Sequence, residues 1–501
     1  MRLAFSPAGR PGRGVLVCAV VAAGLSAAHH ARAQGFGAPL TVQGLDRTTM
    51  QSAASRALGG TLLGMRDDVG VLFSNPASLA WLSSGRISLG GAHSSSRARQ
   101  EQHYAPLKYY SNFSLLMEGL TPLIPDPDTS LTGANAGDTV QRSYDAIGPN
   151  WSRSKNRTLP VQALFGMPFT LGEVQCGFGL GAVQYADLNG YFQNNNVLNP
   201  SILSERPIPT PRPPNDSIPT RVNWWQNVRS REGSLRGYGA AVSALILDRL
   251  ALGVSGMSIA GTTDDSEQQV LRGRMTFYTN FFRLDSAYGR ITRTGTSEFS
   301  GIEFTVSGMY ATKHLTIGFA LKPPMTITRE FSTRVVTDTA GSAVARTLTG
   351  RDELRLPWRG MFGVAIQPAD NLLLGIEYEI RSYAPAVYRA PDGAQANPWL
   401  SSAEVHVGLQ YAPVEWLMLR GGLREQTEVF EPEGNPLAGE PVSSSVYSAG
   451  AGIRCAGIRL NIAYEYVSMK YQDVWGSAVS FNADMRHAFV ADVTYEIPWL
   501  K

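Results

Sequence analysis

From Ile458 to Tyr466 every second side chain is apolar or aromatic: Ile458, Leu460, Ile462, Tyr464 and Tyr466 share one face, and Arg459, Asn461, Ala463 and Glu465 share the other. A period of two is that of a β-strand with one face in oil and one in a polar medium. About 9–11 such residues, tilted, cross a bilayer. The stripe recurs at Ile87 and Leu89; at Phe178 and Leu180; at Tyr238, Val242 and Ile246; and at Ile302, Phe304 and Val306. It continues at Leu315–Leu321, Phe362–Ile366, Leu372–Ile380 and Val405–Tyr411, and ends with Phe489, Val493, Tyr495 and Ile497. Less regular stretches near 161–169, 250–260, 415–425 and 445–454 bring the predicted strands to fourteen, an even number as bacterial single-chain barrels require.

The connections alternate in length. Tight links are predicted at 170–174, 248–249, 312–313, 368–370, 412–414 and 455–457, with turn chemistry at Gln367-Pro368-Ala369-Asp370-Asn371 and Ala456-Gly457. Long loops are predicted near 94–160, 186–235, 261–297, 328–357, 382–401, 426–444 and 470–485. Seven long connections against six short ones place both termini on the short-turn side, which in such barrels is the periplasm. A soluble antiparallel sandwich also alternates, but it needs neither strands of this length nor aromatic residues near strand ends such as Trp358, Tyr411, Trp416, Tyr471, Trp475 and Trp499. The predicted fold is therefore all-β, a 14-stranded antiparallel transmembrane barrel over residues 86–501.

A cation on the lipid face near the midplane costs roughly 2–4 kcal/mol, so strand charges should point inward. That places Glu303, Glu377, Glu379, Glu404, His406, Arg454, Arg459, Glu465 and Asp492 in the lumen, as a salt-bridged interior and not as catalytic groups.

Composition adds the export route. Arg2, Arg10 and Arg13 precede the apolar run Val15–Ala28, and Ala31-Arg32-Ala33 has the small-x-small form of a signal-peptidase site. Residues 1–33 read as a secretory signal, with the mature chain starting at Gln34. The whole chain carries 44 Lys and Arg against 41 Asp and Glu; without the four signal arginines the count is 40 against 41. The basic balance thus belongs to the signal, and no nucleic-acid partner is expected. Cys18 leaves with the signal, and Cys176 and Cys455 read as two isolated small apolar strand residues, not as a disulfide.

Residues 34–85 lack the strand pattern yet carry apolar side chains that need a place to pack. A lumen of fourteen strands is too wide for its own side chains to fill, so an N-terminal hatch plugging it is expected. The run Ala54-Ser55-Arg56-Ala57-Leu58-Gly59-Gly60 and then Asp67–Ala80, containing Asn75-Pro76-Ala77, resembles the hatch of the FadL/TodX-type family of outer-membrane transport proteins. The resemblance covers the whole mature chain in layout and mainly residues 53–82 in sequence. It implies passive uptake of hydrophobic small molecules, typically long-chain fatty acids or hydrocarbons, through an apolar lumenal pocket by a monomer in the outer membrane of a Gram-negative-type bacterium. Hatch movement at Asn75, Pro76 and Ala77 and a lateral opening would release the ligand. Independently, Pro76 fixes its own φ and biases Asn75 away from helix, favouring a bend. Relatives similar to PorV share barrel and hatch but act in protein secretion or surface attachment, which is the alternative function.

Ligand contacts are expected in the third outer loop, where Phe277, Tyr278, Phe281 and Phe282 are interleaved with Arg272, Arg274 and Arg283. Apolar side chains beside cations suit an amphipathic acid; packing of loop on loop is the competing reading. The resemblance supports the first, since the family's third outer loop helps form a ligand groove. The fourth loop, with Arg329, Glu330, Arg334 and Asp338, is polar and departs from that pattern; Tyr191, Phe192, Trp224 and Trp225 are candidates to replace it. The Pro-rich stretch 207–219 reads as an extended spacer. No Gly-x-Ser-x-Gly, His-Glu-x-x-His, P-loop or paired-cysteine motif occurs, so neither catalysis nor a cofactor or metal is expected. Asp67-Asp68 and Asp264-Asp265 read as solvated turn acids.

Overall fold

The computed structural model describes residues 44–48, 52–104, 111–118, 145–199, 220–277, 282–285, 287–339, 341–430, 441–475 and 478–500. The predicted signal, the start of the mature chain, most of the Pro-rich stretch, Tyr278 and Phe281 lie outside them.

Fourteen strands form the wall: β1 (Gly85–Tyr104), β2 (Trp151–Leu171), β3 (Val174–Asp187), β4 (Thr220–Ile246), β5 (Leu250–Phe277) and β6 (Arg290–Ala311). Strands β7 and β8 are each interrupted at a proline, β7 running as Leu315–Lys322 and Met325–Thr339, β8 as Ser342–Leu356 and Arg359–Ala369. They are followed by β9 (Leu372–Arg381), β10 (Ser402–Val414), β11 (Leu417–Thr427), β12 (Ser443–Cys455), β13 (Ile458–Trp475) and β14 (Ala478–Ile497). Each pairs antiparallel with its sequence neighbour, and β1 closes the sheet on β14 over Gly85↔Ile497 to Tyr104↔Ala478. Closure leaves no sheet edge in the bilayer, the condition for a strand-built membrane span.

The predicted stripes face out. Leu89, Ile302, Phe304, Ile376 and Phe489 are all more than half exposed although apolar, which only lipid can satisfy. Six short turns close one end; at the last, Ala456 and Gly457 both have positive φ (49° and 78°), as the two-residue hairpin turn requires.

At the other end the strands overrun the bilayer. Strand β5 has 28 residues, where about 10 suffice. Much of what reads as long loop at 94–160, 261–297, 328–357 and 470–485 is therefore a continuation of the ladder, for example Met325–Thr339 against Ser342–Leu356. The physical reason is plain: past the lipid these strands turn polar on their outer face, as at His93, Ser95 and Arg97, so the apolar stripe stops while backbone pairing goes on. Arg329, expected in a polar loop, faces Asp352 inside this extension at 2.6 Å.

Among the described residues the hatch contains α1 (Ala53–Ala57) and two 3-10 helices, Val69–Val71 and Pro76–Trp81. Ser52 caps α1 by accepting from Ser55 N at 3.2 Å, and Asp68 caps the first 3-10 helix through Gly70 N at 2.7 Å. Leu72, Phe73, Leu79 and Leu82 are buried against Leu164, Met257 and Ile259 of the wall. The main hydrophobic core of the molecule is thus hatch against barrel. A second core at the long-hairpin end gathers Phe113 and Leu116 of α2 (Ser111–Met117) with Trp224, Met275 and Phe277.

Candidate functional site: a plugged lumen and the cavity above it

Nearly all of the inward charges hold the plug or one another. Glu377 Oε1 accepts from Leu62 N at 2.8 Å and Leu63 N at 2.6 Å. Asp492 accepts from Ala53 N at 2.7 Å and from Asn461 Nδ2 at 2.7 Å. Glu465 is shared by Arg56 of the hatch at 3.1 Å and Arg424 of β11 at 2.5 Å. Ser307 Oγ accepts from Ala77 N at 2.8 Å, and Ser448 Oγ from Gly59 N at 3.0 Å. Glu303 belongs to the wall, accepting from Lys322 at 2.7 Å, Arg359 at 2.6 Å and the Tyr185 hydroxyl at 3.0 Å. Arg454 is the exception to the expected set, because it sits at the end of β12 and is exposed.

Asp67 and Asp68 are not solvated turn acids: Asp67, at φ 58°, meets Arg86 at 2.6 Å, and Asp68 is the helix cap. Burial pushes the carboxyls of Asp46 and Asp67 up from the ordinary range, more than their arginine neighbours pull them down. A raised carboxyl favours the docked state as pH falls toward that range and disfavours it as pH rises. Asp265 also differs from expectation: it points inward and accepts from Arg231 Nε at 2.7 Å and Ser297 Oγ at 2.6 Å.

Asn75 is fully buried. Its Nδ2 donates to Leu62 O at 3.3 Å and lies 3.0 Å from Met309 Sδ, tying the bend at Pro76 to both hatch and wall. The hatch backbone approaches the wall so closely that several strand positions exclude a side chain. A Cβ at Gly422 would lie 2.0 Å from Gly59 N, at Gly253 2.4 Å from Ala77 N, and at Gly177 2.3 Å from Leu79 O.

Removing the Glu377 carboxylate tests how far these bonds hold the plug. Glu377→Ala leaves two buried N–H groups unpaired, at about 1–3 kcal/mol each. Hydrogen exchange of residues 58–65 is expected to speed by more than tenfold in Glu377→Ala and to stay near wild type in Glu377→Gln, whose Oε1 still accepts.

Above the plug lies a cavity of about 240 Å³. Its walls are Trp151, Tyr191, Phe192, Phe430 and Tyr471, with Arg47, Arg153, Lys155, Arg157 and Arg486 among them. The expected apolar pocket is therefore an amphipathic one, because at this height the inward side chains belong to the polar strand extensions. Tyr471, expected in an interfacial girdle, instead faces this cavity, where its ring meets Phe430 at 5.5 Å. Arg47 is held by Glu428 at 2.5 Å, Lys155 by Glu232 at 2.5 Å and Arg157 by Asp187 at 2.6 Å. Arg153 lies over the Tyr191 ring at 4.1 Å, and neither it nor Arg486 makes an ion pair with another described residue.

The wall beside this cavity is incomplete. Strand β2 pairs with β1 as far as Trp151, but with β3 only over Gln162↔Val183 to Leu171↔Val174. The continuation of β3, Gly190–Asn199, pairs with β4 instead. Among the described residues, side chains bridge the resulting cleft: Arg157 to Asp187, and the edge of Trp151 against Tyr191 at 5.5 Å. The cleft starts level with Tyr238, at the outer margin of the apolar band.

The residues expected to bind ligand are placed elsewhere. The Arg272 guanidinium is taken up inside the protein, meeting Asp145 at 2.7 Å and Asn195 O at 2.8 Å while lying over the Trp224 ring at 3.8 Å. Phe277 is buried against Phe113 in the outer core, with Phe282 opposite it in register. Arg274 is exposed and donates to Asn223, and Arg283 is exposed and pairs with Asp285 at 2.9 Å. None of the described members of this set lines the cavity. Trp224 is buried and Tyr191 and Phe192 line the cavity, so of the substitutes two reach it.

A closed fourteen-stranded barrel filled by its own N-terminal segment, with Asn-Pro-Ala at the bend, has the FadL/TodX-type fold. Among solved structures, a FadL homologue of Pseudomonas aeruginosa aligns with a TM-score of 0.57 and 12% identity over 90% of this chain and 98% of its own. The toluene transporter TodX of P. putida aligns with a TM-score of 0.54 and 12% identity over 89% and 98%. No protein-family model and no curated protein sequence matches the chain. No helix among the described residues is long and apolar enough to cross a membrane.

Proposed function

We propose that this chain is an outer-membrane channel for passive uptake of hydrophobic molecules that carry an acid group, long-chain fatty acids being the fitting class. The hatch, residues 34–85, acts as gate around Asn75, Pro76 and Ala77, and both termini and the short turns lie in the periplasm. The observation that carries the reading is the cavity: aromatic walls interleaved with two cations, Arg153 and Arg486, that no carboxylate among the described residues holds in a direct ion pair, between a plugged lumen and a cleft in the wall. An aliphatic tail gains roughly 0.8 kcal/mol per buried CH₂ against such rings, while a guanidinium takes a carboxylate in paired hydrogen bonds. Toluene, which the P. putida relative carries by its name, would leave those cations unused. The ligand enters from the long-hairpin end, rests above the hatch and leaves through the cleft toward the bilayer.

Binding of a fluorescent long-chain fatty acid to the purified protein tests this. Arg153→Ala combined with Arg486→Ala is expected to weaken binding by tenfold or more while leaving the barrel heat-modifiable on a gel. Equal affinity in wild type and the double variant, or no binding at all, would overturn the reading; co-purification of a secreted protein in the second case would favour the PorV-like role.

A further inference from the structure

One inward cluster does not line the cavity and meets the hatch through an imidazole nitrogen, while its remaining donor atoms face one another. Glu379 of β9 lies opposite Glu404 of β10 in the strand register, and His406 follows Glu404 by two, so all three side chains share the lumen face. A histidine nitrogen and two carboxylate oxygens lie within 4.8 Å of one another. His406 Nε2 is 3.6 Å from Glu379 Oε2 and 4.0 Å from Glu404 Oε2. Ligand atoms about 2.0 Å from a tetrahedral zinc stand roughly 3.3 Å apart, so a small closing movement brings the three onto one ion.

The second observation concerns the histidine itself. Its side chain is 2% exposed, yet Nε2 has no hydrogen-bond partner. Its Nδ1 lies 3.0 Å from Gly59 O of the hatch, so that Nδ1 carries the proton and donates to this carbonyl. Nε2 faces the two carboxylates, and an ion entering between them displaces any proton that this nitrogen carries. A backbone carbonyl holding one imidazole nitrogen while the other faces carboxylates is the outer-shell arrangement of a metal-ligating histidine. Glu404 Oε1 is engaged by Arg381 at 2.5 Å and Thr427 N at 3.0 Å, which fixes the carboxylate and leaves Oε2 toward His406.

We propose that Glu379, Glu404 and His406 form a binding site for a divalent cation of the zinc type, and that the ion acts as a latch on the hatch. Two carboxylates and a neutral imidazole give a mixed O/N donor set suited to Zn²⁺ or Co²⁺. Polarised by the ion, the imidazole holds Gly59 O more strongly, and Gly59 is the residue against which Gly422 closes. Loading the site therefore tightens the hatch, and stripping it loosens the hatch without unfolding the barrel.

Titration of chelator-stripped full-length protein with Co²⁺ tests the site directly. One equivalent is expected to bind, with visible absorption of four- or five-coordinate cobalt that Zn²⁺ abolishes. The triple variant Glu379→Gln, Glu404→Gln, His406→Ala, checked for heat-modifiability, is expected to bind no stoichiometric metal, and EDTA is expected to speed hydrogen exchange at residues 58–61 only in wild type. If wild type gives no cobalt spectrum, His406 pairs with the glutamates directly and the proposal fails. It fails equally if the folded triple variant binds as wild type does.

Discussion

Gly422→Val is expected to convert this barrel from a closed to an open pore, with an ion conductance equal to that of a chain lacking residues 34–80. The reason is steric. A Cβ at this position would stand 2.0 Å from Gly59 N and 2.3 Å from Leu58 C, and both are backbone atoms that no rotamer change can move aside. Either the hatch shifts as a body, losing its bonds to Glu377 and Asp492, or β11 leaves the sheet. Strand β11 is paired on both sides, with β10 and β12, and valine suits a strand, so the hatch yields. Gly421→Ala is the control: its Cβ meets nothing nearer than Ser448 O at 4.0 Å, and no change in conductance is expected. Planar-bilayer recordings read both variants, with heat-modifiability reporting that the wall is intact.

The cleft between β2 and β3 carries the second large effect. Replacing Arg157 and Asp187 by cysteine and joining them with a short bis-thiosulfonate spans the gap that their 2.6 Å ion pair now bridges. Cross-linked protein is expected to lose nearly all the fatty-acid flux of the same double-cysteine protein before cross-linking, while the two bind ligand equally, with flux restored by reductant. Cys455 is exposed and has to be replaced by serine for this experiment; Cys176 is buried and stays. Unchanged flux in the cross-linked protein would move the exit elsewhere, to a displaced hatch.

The strand count was legible because lipid imposes a period of two that nothing else in the chain imitates, so Ile302, Phe304 and Ile376 announced their strands without tertiary information. Their continuations beyond the bilayer were not legible. Residues such as Gln268 and Thr294 alternate polar with polar, and only the backbone ladder shows that β5 and β6 go on there. The same asymmetry governs the site. Glu377, Glu465 and Asp492 were readable as lumenal charges from parity, but their hold on Leu62, Arg56 and Ala53 spans hundreds of residues of sequence and leaves no spacing signal. Arg272 and Phe277 show a related limit: a cation among aromatic residues has the same composition whether it awaits a carboxylate or, as here, lies against Asp145 and Trp224. Arg153 and Arg486 stand in alternating inward runs, Trp151, Arg153, Lys155 and Arg157 on one strand and Asn482, Asp484 and Arg486 on another, but with a polar outer face as well these runs carry no amphipathic stripe to mark them.

Flux of oleate into liposomes, followed by an entrapped fatty-acid sensor, tests the central claim most directly. Passage of a hydrophobic acid through this barrel predicts faster entry with the full-length protein, with most of the gain lost in the Arg153→Ala, Arg486→Ala variant and in the cross-linked cleft. Entry at the rate of protein-free liposomes, or an acceleration indifferent to both changes, would contradict it.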